Sequence, residues 1–181
     1  MDPLTRLALD AGAGDALSLE GFVRRSQADV WRLCAHLVDR GAADDVTQEV
    51  YLRAIPALAR YQGDAPARVW LLTIARRTCA DVVRRRTRER RLLDRLRAAP
   101  VDGDEVRPPD GAVELDLLLE GLDPDRRAAF VLTQVLGLPY AEAADVCAVP
   151  VGTIRSRVAR ARDDLLAAAT GDEVNPSERR G

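Results

Sequence analysis

Lysine is absent from this chain: every one of its 27 basic residues is arginine. That excludes a Walker-type phosphate loop and any Schiff-base mechanism, since both need a lysine amine. Histidine occurs once, at His36, and cysteine three times, at Cys34, Cys79 and Cys147, with no CxxC spacing. A structural zinc or a multi-histidine metal centre needs more ligands than this, so no metal and no cofactor are expected. An odd, scattered cysteine count does not read as a disulfide framework; it suits small buried thiols in a reducing, cytoplasmic setting. No apolar run approaches the ~20 residues that cross a bilayer. The start, Met1-Asp2-Pro3 with Asp10 and Asp15 behind it, lacks the basic and apolar regions of a secretory signal, and no membrane partner is expected. His36 has no nucleophile elbow or carboxylate pair to work with, so the reading is that the chain is not an enzyme.

What is present is charge, and its placement matters more than its sum. The 181 residues carry a net charge of -2, which by itself predicts neither a nucleic-acid coat nor an acidic-substrate trap. Yet Arg68 to Arg97 holds a net +8, Asp102 to Asp125 a net -8, and Gly152 to Arg162 a net +4. One basic run is usually a solvated helix face. Two basic runs on separate helical segments point to an extended anionic partner.

Apolar residues recur every three or four positions and strand-like alternation is missing, so the expected fold is all-α. The segment from Ala98 to Gly111 is rich in proline, glycine and acid and reads as a flexible acidic linker. The predicted organisation is therefore a helical bundle over 1–97, a linker over 98–112, a second small helical domain over 113–170 and a frayed tail over 171–181. In the first domain, helices are expected over Leu19–Asp39, Ala43–Tyr61 and Val69 to about Arg95, with a kink or restart at Pro56. In the second, a helix is expected over Val113–Leu122. The next should begin at Asp123-Pro124, an N-cap followed by a first-turn proline, and stop at Gly137. A short helix from Tyr140 to Cys147, a tight turn and a longer arginine-bearing helix from Val151 make a helix-turn-helix.

At about 100° per residue, Ile154, Val158, Ala161 and Leu165 share one side of that last helix, and Gly152, Ser156, Ala159 and Arg160 the other. The small side chains permit close approach to base edges, Arg160 can reach a guanine with two hydrogen bonds, and Arg155, Arg157 and Arg162 flank it where phosphates would lie. In the earlier basic helix the same geometry turns Leu71, Leu72, Ala75, Cys79, Val82 and Val83 inward and Trp70, Thr73, Arg77, Ala80, Asp81 and Arg84 outward. Asp81 would repel a phosphate but could accept from a cytosine amino group. A third face, with Asp45, Gln48, Glu49, Leu52 and Arg53, reads from its residues alone as a solvated surface.

Three stretches carry a specific resemblance: Asp44-Asp-Val-Thr-Gln-Glu-Val-Tyr-Leu-Arg-Ala54, Trp70-Leu-Leu-Thr-Ile-Ala-Arg-Arg77, and Leu138-Pro-Tyr-Ala-Glu-Ala-Ala144 followed by Pro150-Val-Gly-Thr-Ile-Arg-Ser-Arg-Val-Ala-Arg-Ala-Arg162. In this order and spacing, over 22–166, the chain resembles the extracytoplasmic-function (group 4) sigma factors of bacterial RNA polymerase. The resemblance implies a sigma-2-like bundle and a sigma-4-like helix-turn-helix, with core RNA polymerase (β′ clamp helices, β flap) and promoter DNA as partners. It makes Asp45, Gln48, Glu49, Leu52 and Arg53 polymerase contacts. It assigns Tyr61, Trp70, Arg77, Asp81 and Arg84 to the -10 element, one base of which is flipped into a loop pocket, and Thr153, Arg155, Ser156, Arg157, Ala159 and Arg160 to the -35 element. Departures from the pattern are Ala148 in place of a turn glycine, where a locally different turn is expected, Pro139 in place of a polar cap, and the small Ala159 and charged Arg77 and Asp81. A stand-alone helix-turn-helix regulator is the alternative reading and predicts tight DNA binding without polymerase. The opposed charge windows add one expectation: the acidic linker or the start of the second domain lies on the Arg76–Arg91 face and masks it, a role that an anti-sigma protein could also fill.

Overall fold

The computed structural model describes residues 1–96 and 111–170, and these are helical, with no strand among them. Helix α1 is Pro3–Gly12, α2 Ala16–Leu37, α3 Ala43–Leu58 and α4 Ala67–Leu96; a 3-10 turn, Arg40–Ala42, joins α2 to α3. The second half contains α5 Gly111–Glu120, α6 Pro124–Phe130 running into a π-helical turn over Val131–Val135, α7 Tyr140–Cys147 and α8 Val151–Thr170. The all-α reading holds. The expected linker and tail, apart from the first turn of α5, lie outside the described residues.

Local chemistry sets the boundaries. Asp2 caps α1 by accepting from the Thr5 amide at 2.9 Å, and Pro3 fills the first turn. This helix is absent from the sequence reading. Asp15 caps α2 through the Ser18 amide at 3.1 Å, which moves the start of that helix ahead of the expected Leu19. Asp39 accepts from the Ala42 amide at 2.8 Å and turns the chain into α3. Thr5 Oγ1 accepts from the Ala67 amide at 2.9 Å, so α1 caps α4 from a distance of 62 residues. No restart occurs at Pro56: α3 passes through it and ends at Leu58. Pro56 sits in the last turn, where continuation by only two residues limits the disruption.

Phe22, Val30, Leu33 and Cys34 of α2, Val46, Val50 and Tyr51 of α3, and Val69, Leu71, Leu72, Ala75, Cys79 and Val82 of α4 fill the first half. Ser26 and Tyr51 join their hydroxyls at 2.7 Å inside this apolar layer, satisfying two groups that would be costly alone. Val83, expected to point inward, is 38% exposed. In the second half Leu119, Leu122, Val131, Leu132, Val146, Ile154, Val158 and Ala161 close a smaller core. The two cores are continuous, with α7 packed on α4.

Candidate polymerase and nucleic-acid interface

Helix α7 ends at Cys147, and Ala148 takes up φ 54°, ψ 46°, with its amide bonded back toward Ala144 and Asp145. This is the left-handed turn that a glycine would occupy without strain. Ala148 thus adopts the positive φ despite its Cβ and carries about 1 kcal/mol of strain. Pro139 precedes Tyr140 without a side-chain cap, leaving first-turn amides of α7 uncapped on that side. Pro150 accepts from the Thr153 amide at 2.9 Å and starts α8.

On α8, Ile154, Val158 and Ala161 are buried, while Gly152, Arg155, Ser156, Ala159 and Arg160 form an uninterrupted exposed stripe. Two of the expected contacts sit differently. Thr153 is half-buried, its carbonyl accepting from Ser156 Oγ at 3.0 Å. Arg157 turns inward: its Nη2 meets Asp125 Oδ2 at 2.5 Å and its Nη1 is buried without a partner. It is thus a tie between α8 and the start of α6 and not a phosphate-facing arginine. Arg162 reaches Gln134 Oε1 at 2.7 Å and remains largely exposed.

On α4, Arg77 and Arg84 are exposed, and Trp70 is half-buried, tilted on Tyr61 with ring centroids 5.0 Å apart. Tyr61 Oη donates to the Ala65 carbonyl at 2.5 Å, pinning the 61–66 loop in front of α4. This places an aromatic pair and a loop beside the arginine stripe, a shape in which an unstacked base could rest. Asp81 is not free to accept from a base: Arg53 reaches one of its oxygens at 2.9 Å and Arg84 the other at 2.6 Å. The two guanidiniums hold the Asp81 carboxyl below the usual carboxylate range.

Arg53 also bonds Glu49 at 2.5 Å, so the residues read as two separate sites form one chain, Glu49–Arg53–Asp81–Arg84, from α3 to α4. Asp45, Gln48 and Leu52 stand exposed on α3, Leu52 at 70%, while Asp44 is occupied by Trp31 Nε1 at 2.8 Å. Ile55, which the sequence reading omitted, extends this stripe. Its signal was present: an apolar residue three positions after Leu52, on the same face. Leu52 and Ile55 thus stand as two exposed apolar side chains rimmed by charge.

The halves meet along α2 and α4. Asp116 of α5 accepts from His36 Nδ1 at 2.8 Å and from Arg40 Nε at 2.5 Å. Arg68 bridges Asp29 at 2.8 Å and the Leu136 carbonyl at 2.7 Å, and Arg76 lies 3.8 Å from Asp125. Between them is a cavity of about 470 Å³, bounded by Leu37, Arg76, Cys79, Arg84, Asp125 and Arg127 among others. Part of the outward stripe expected on α4, Ala80 and Arg84, thus faces α6. Of the Arg76–Arg91 face expected to be masked, Arg76 lies near Asp125 of α6, but Arg77 and Arg84 to Arg91 are exposed; Asp102, Asp104 and Glu105 are outside the described residues.

Comparison with known proteins decides between the remaining readings. Residues 22–89 match the family described as Sigma-70 region 2, and residues 112–165 match Sigma-70, region 4. The extracytoplasmic-function sigma factor SigC of Mycobacterium tuberculosis is 49% identical over 96% of this chain and 95% of its own length. The chain belongs to the extracytoplasmic-function RNA polymerase sigma factors. Sigma-E of Escherichia coli is 31% identical over 92% of each chain. Among solved structures, CnrH in complex with the cytosolic domain of CnrY superposes with a TM-score of 0.74 at 27% identity, covering 94% of this sigma factor and 99% of that chain. A promoter-specific initiation factor, not a stand-alone helix-turn-helix regulator, is the function supported. No helix of the described residues is long and apolar enough to cross a membrane.

Proposed function

We propose that this cytoplasmic sigma factor joins core RNA polymerase through α3 and the neighbouring end of α4, reads the -35 element with α8, and reads and opens the -10 element with the 61–66 loop and α4. The polymerase contacts are Asp45, Gln48, Leu52 and Ile55, with Glu49 and Arg53 held in the ion chain behind them, and the receiving surface is the β′ clamp helices. The second domain, residues 113–170, rests on the β flap. Gly152, Arg155, Ser156, Ala159 and Arg160 face the major groove at -35: Arg160 carries base recognition, and Arg155 the backbone. At -10, Arg77 and Arg84 meet the strand and the Tyr61–Trp70 pair receives an unpaired base. Unstacking that base costs a few kcal/mol, offset only where the loop pocket fits it. The chain catalyses no reaction itself; bond formation belongs to the polymerase.

The observation that carries this reading is the unbroken exposed stripe on α8 behind a left-handed turn, on the same chain as an exposed apolar docking face on α3. In the free chain α7 packs on α4 and α6 stands across the cavity from Ala80 and Arg84, so the halves separate before promoter binding; an anti-sigma protein would act by holding them together or covering the same surfaces. Size-exclusion chromatography with core polymerase tests the docking assignment. The wild-type chain should co-elute with core, and Leu52→Asp should not while keeping its helical circular dichroism. Co-elution of Leu52→Asp at wild-type affinity would remove α3 from the interface.

A further inference from the structure

Cys34 of α2 and Cys79 of α4 face one another across the first core with their sulfurs 3.7 Å apart, both buried and unbonded. Packing alone accounts for two small apolar side chains here. It does not account for what surrounds them. Thr47 Oγ1 on α3 is buried without a hydrogen-bond partner. The Cys79 thiol donates to the Cys34 sulfur and holds the Cys34 thiol below the ordinary range despite its burial. Cys79 lies on the wall of the cavity between the halves, and Thr47 lines a second groove, of about 410 Å³, with Trp31 and Asp44. Both thiols are closed to solvent, Cys34 at 0% and Cys79 at 1% exposed, so a small peroxide reaches the pair by way of the cavity wall at Cys79 as the core loosens. Cys147 is the contrast: it is buried, has no sulfur neighbour, and burial raises its thiol.

We propose that Cys34 and Cys79 are an oxidisable dithiol, a modification site for hydrogen peroxide or a small hydroperoxide that closes to a disulfide between α2 and α4. The Cys34 thiolate attacks the peroxide oxygen; an S–O bond forms, the O–O bond breaks, and the leaving hydroxide takes up a proton as water. The Cys79 sulfur then attacks Cys34, the S–S bond forms, the S–O bond breaks, and the displaced hydroxide leaves as water with the Cys79 proton. Two thiols are oxidised and one peroxide is reduced to two waters. The new bond ties α4 to α2 directly beneath the surface on which α6 rests.

The test uses the full chain under native conditions with millimolar hydrogen peroxide, followed by quenching, unfolding, thiol counting and peptide mass mapping. The titratable thiols should fall from three to one, with the Cys34 and Cys79 peptides joined and lighter by two hydrogens, and dithiothreitol should restore all three. The oxidised chain should remain monomeric and unfold at a higher temperature, because the bond closes a long loop. Cys147→Ala should not change the outcome. Cys79→Ala should leave Cys34 as a sulfenic acid that dimedone captures. Retention of three thiols, separate irreversible oxidation of Cys34 and Cys79, or a disulfide involving Cys147 or a second chain would each overturn the proposal, and none needs the variants to fold.

Discussion

Asp116 ties α5 of the second half to α2 and the Arg40–Ala42 turn of the first, and its removal tests whether the closed arrangement masks DNA contacts. Its side chain is 17% exposed and accepts from His36, 11% exposed, and from Arg40, 49% exposed. A charge-assisted hydrogen bond contributes about 1.5–3 kcal/mol when shielded, and a half-exposed ion pair less than about 1. Taking the low end for the Arg40 arm, Asp116→Ala should weaken closure by about 1.5–3 kcal/mol, a factor of roughly 10–150 in the ratio of closed to open chains. Energy transfer between dyes at the exposed positions 17 and 166 reads the opening, and fluorescence anisotropy with a labelled -10 oligonucleotide reads the consequence. Opening and affinity should move together, with binding tighter by up to that same factor. Opening without any gain in affinity would refute the masking. No opening at all would refute the role given to the Asp116 contacts.

Arg160→Ala should cost about 1–3 kcal/mol on the matched -35 sequence and flatten discrimination at one position, whereas Arg155→Ala should weaken all sequences alike and reduce the salt slope by about 1; titrations at several salt concentrations separate the two. Ala148→Gly should stabilise the second half, because glycine occupies φ 54° without a Cβ clash, by up to about 1 kcal/mol, and thermal unfolding would show the rise. Asp2→Ala should cost about 1 kcal/mol through loss of the α1 cap. The Thr5 hydroxyl holds the Asp2 carboxyl below its ordinary value in the folded chain. That contribution is complete above the unfolded carboxylate pKa and disappears as pH falls through the lower folded one, so NMR titration of Asp2 should find a midpoint under 3.8.

The second half was the more legible in sequence because its signals are local. Asp123-Pro124, Gly137, and the Tyr140–Cys147 and Val151 boundaries are written in caps, breakers and a turn. The same Asp-Pro signal stands at Asp2-Pro3, yet α1 was missed: its ten residues have little independent stability, and what holds them is the seat on α2, where Gly21 meets Leu7, together with the cap that Thr5 lends to α4. Arg157 shows where a helical wheel stops. The wheel gives a direction from one axis, and only the position of Asp125, brought in by the fold from 32 residues away, turns that side chain inward. Val83 fails for a related reason: it lines the cavity between the halves beside Leu37 and Val38, a space that a reading of α4 alone cannot see. Asp81 looked like a lone acid in a basic stripe because Arg53, on another helix, was invisible to a reading made one element at a time.

Run-off transcription by purified core polymerase, with and without this chain, tests the central claim most directly. On a template carrying its promoter, the chain should produce a transcript of one defined length, absent with core alone and lost on combining Leu52→Asp with Arg160→Ala. Should core with the wild-type chain give no transcript beyond that of core alone on a genomic library of promoter fragments, the assignment as an initiation factor would be contradicted.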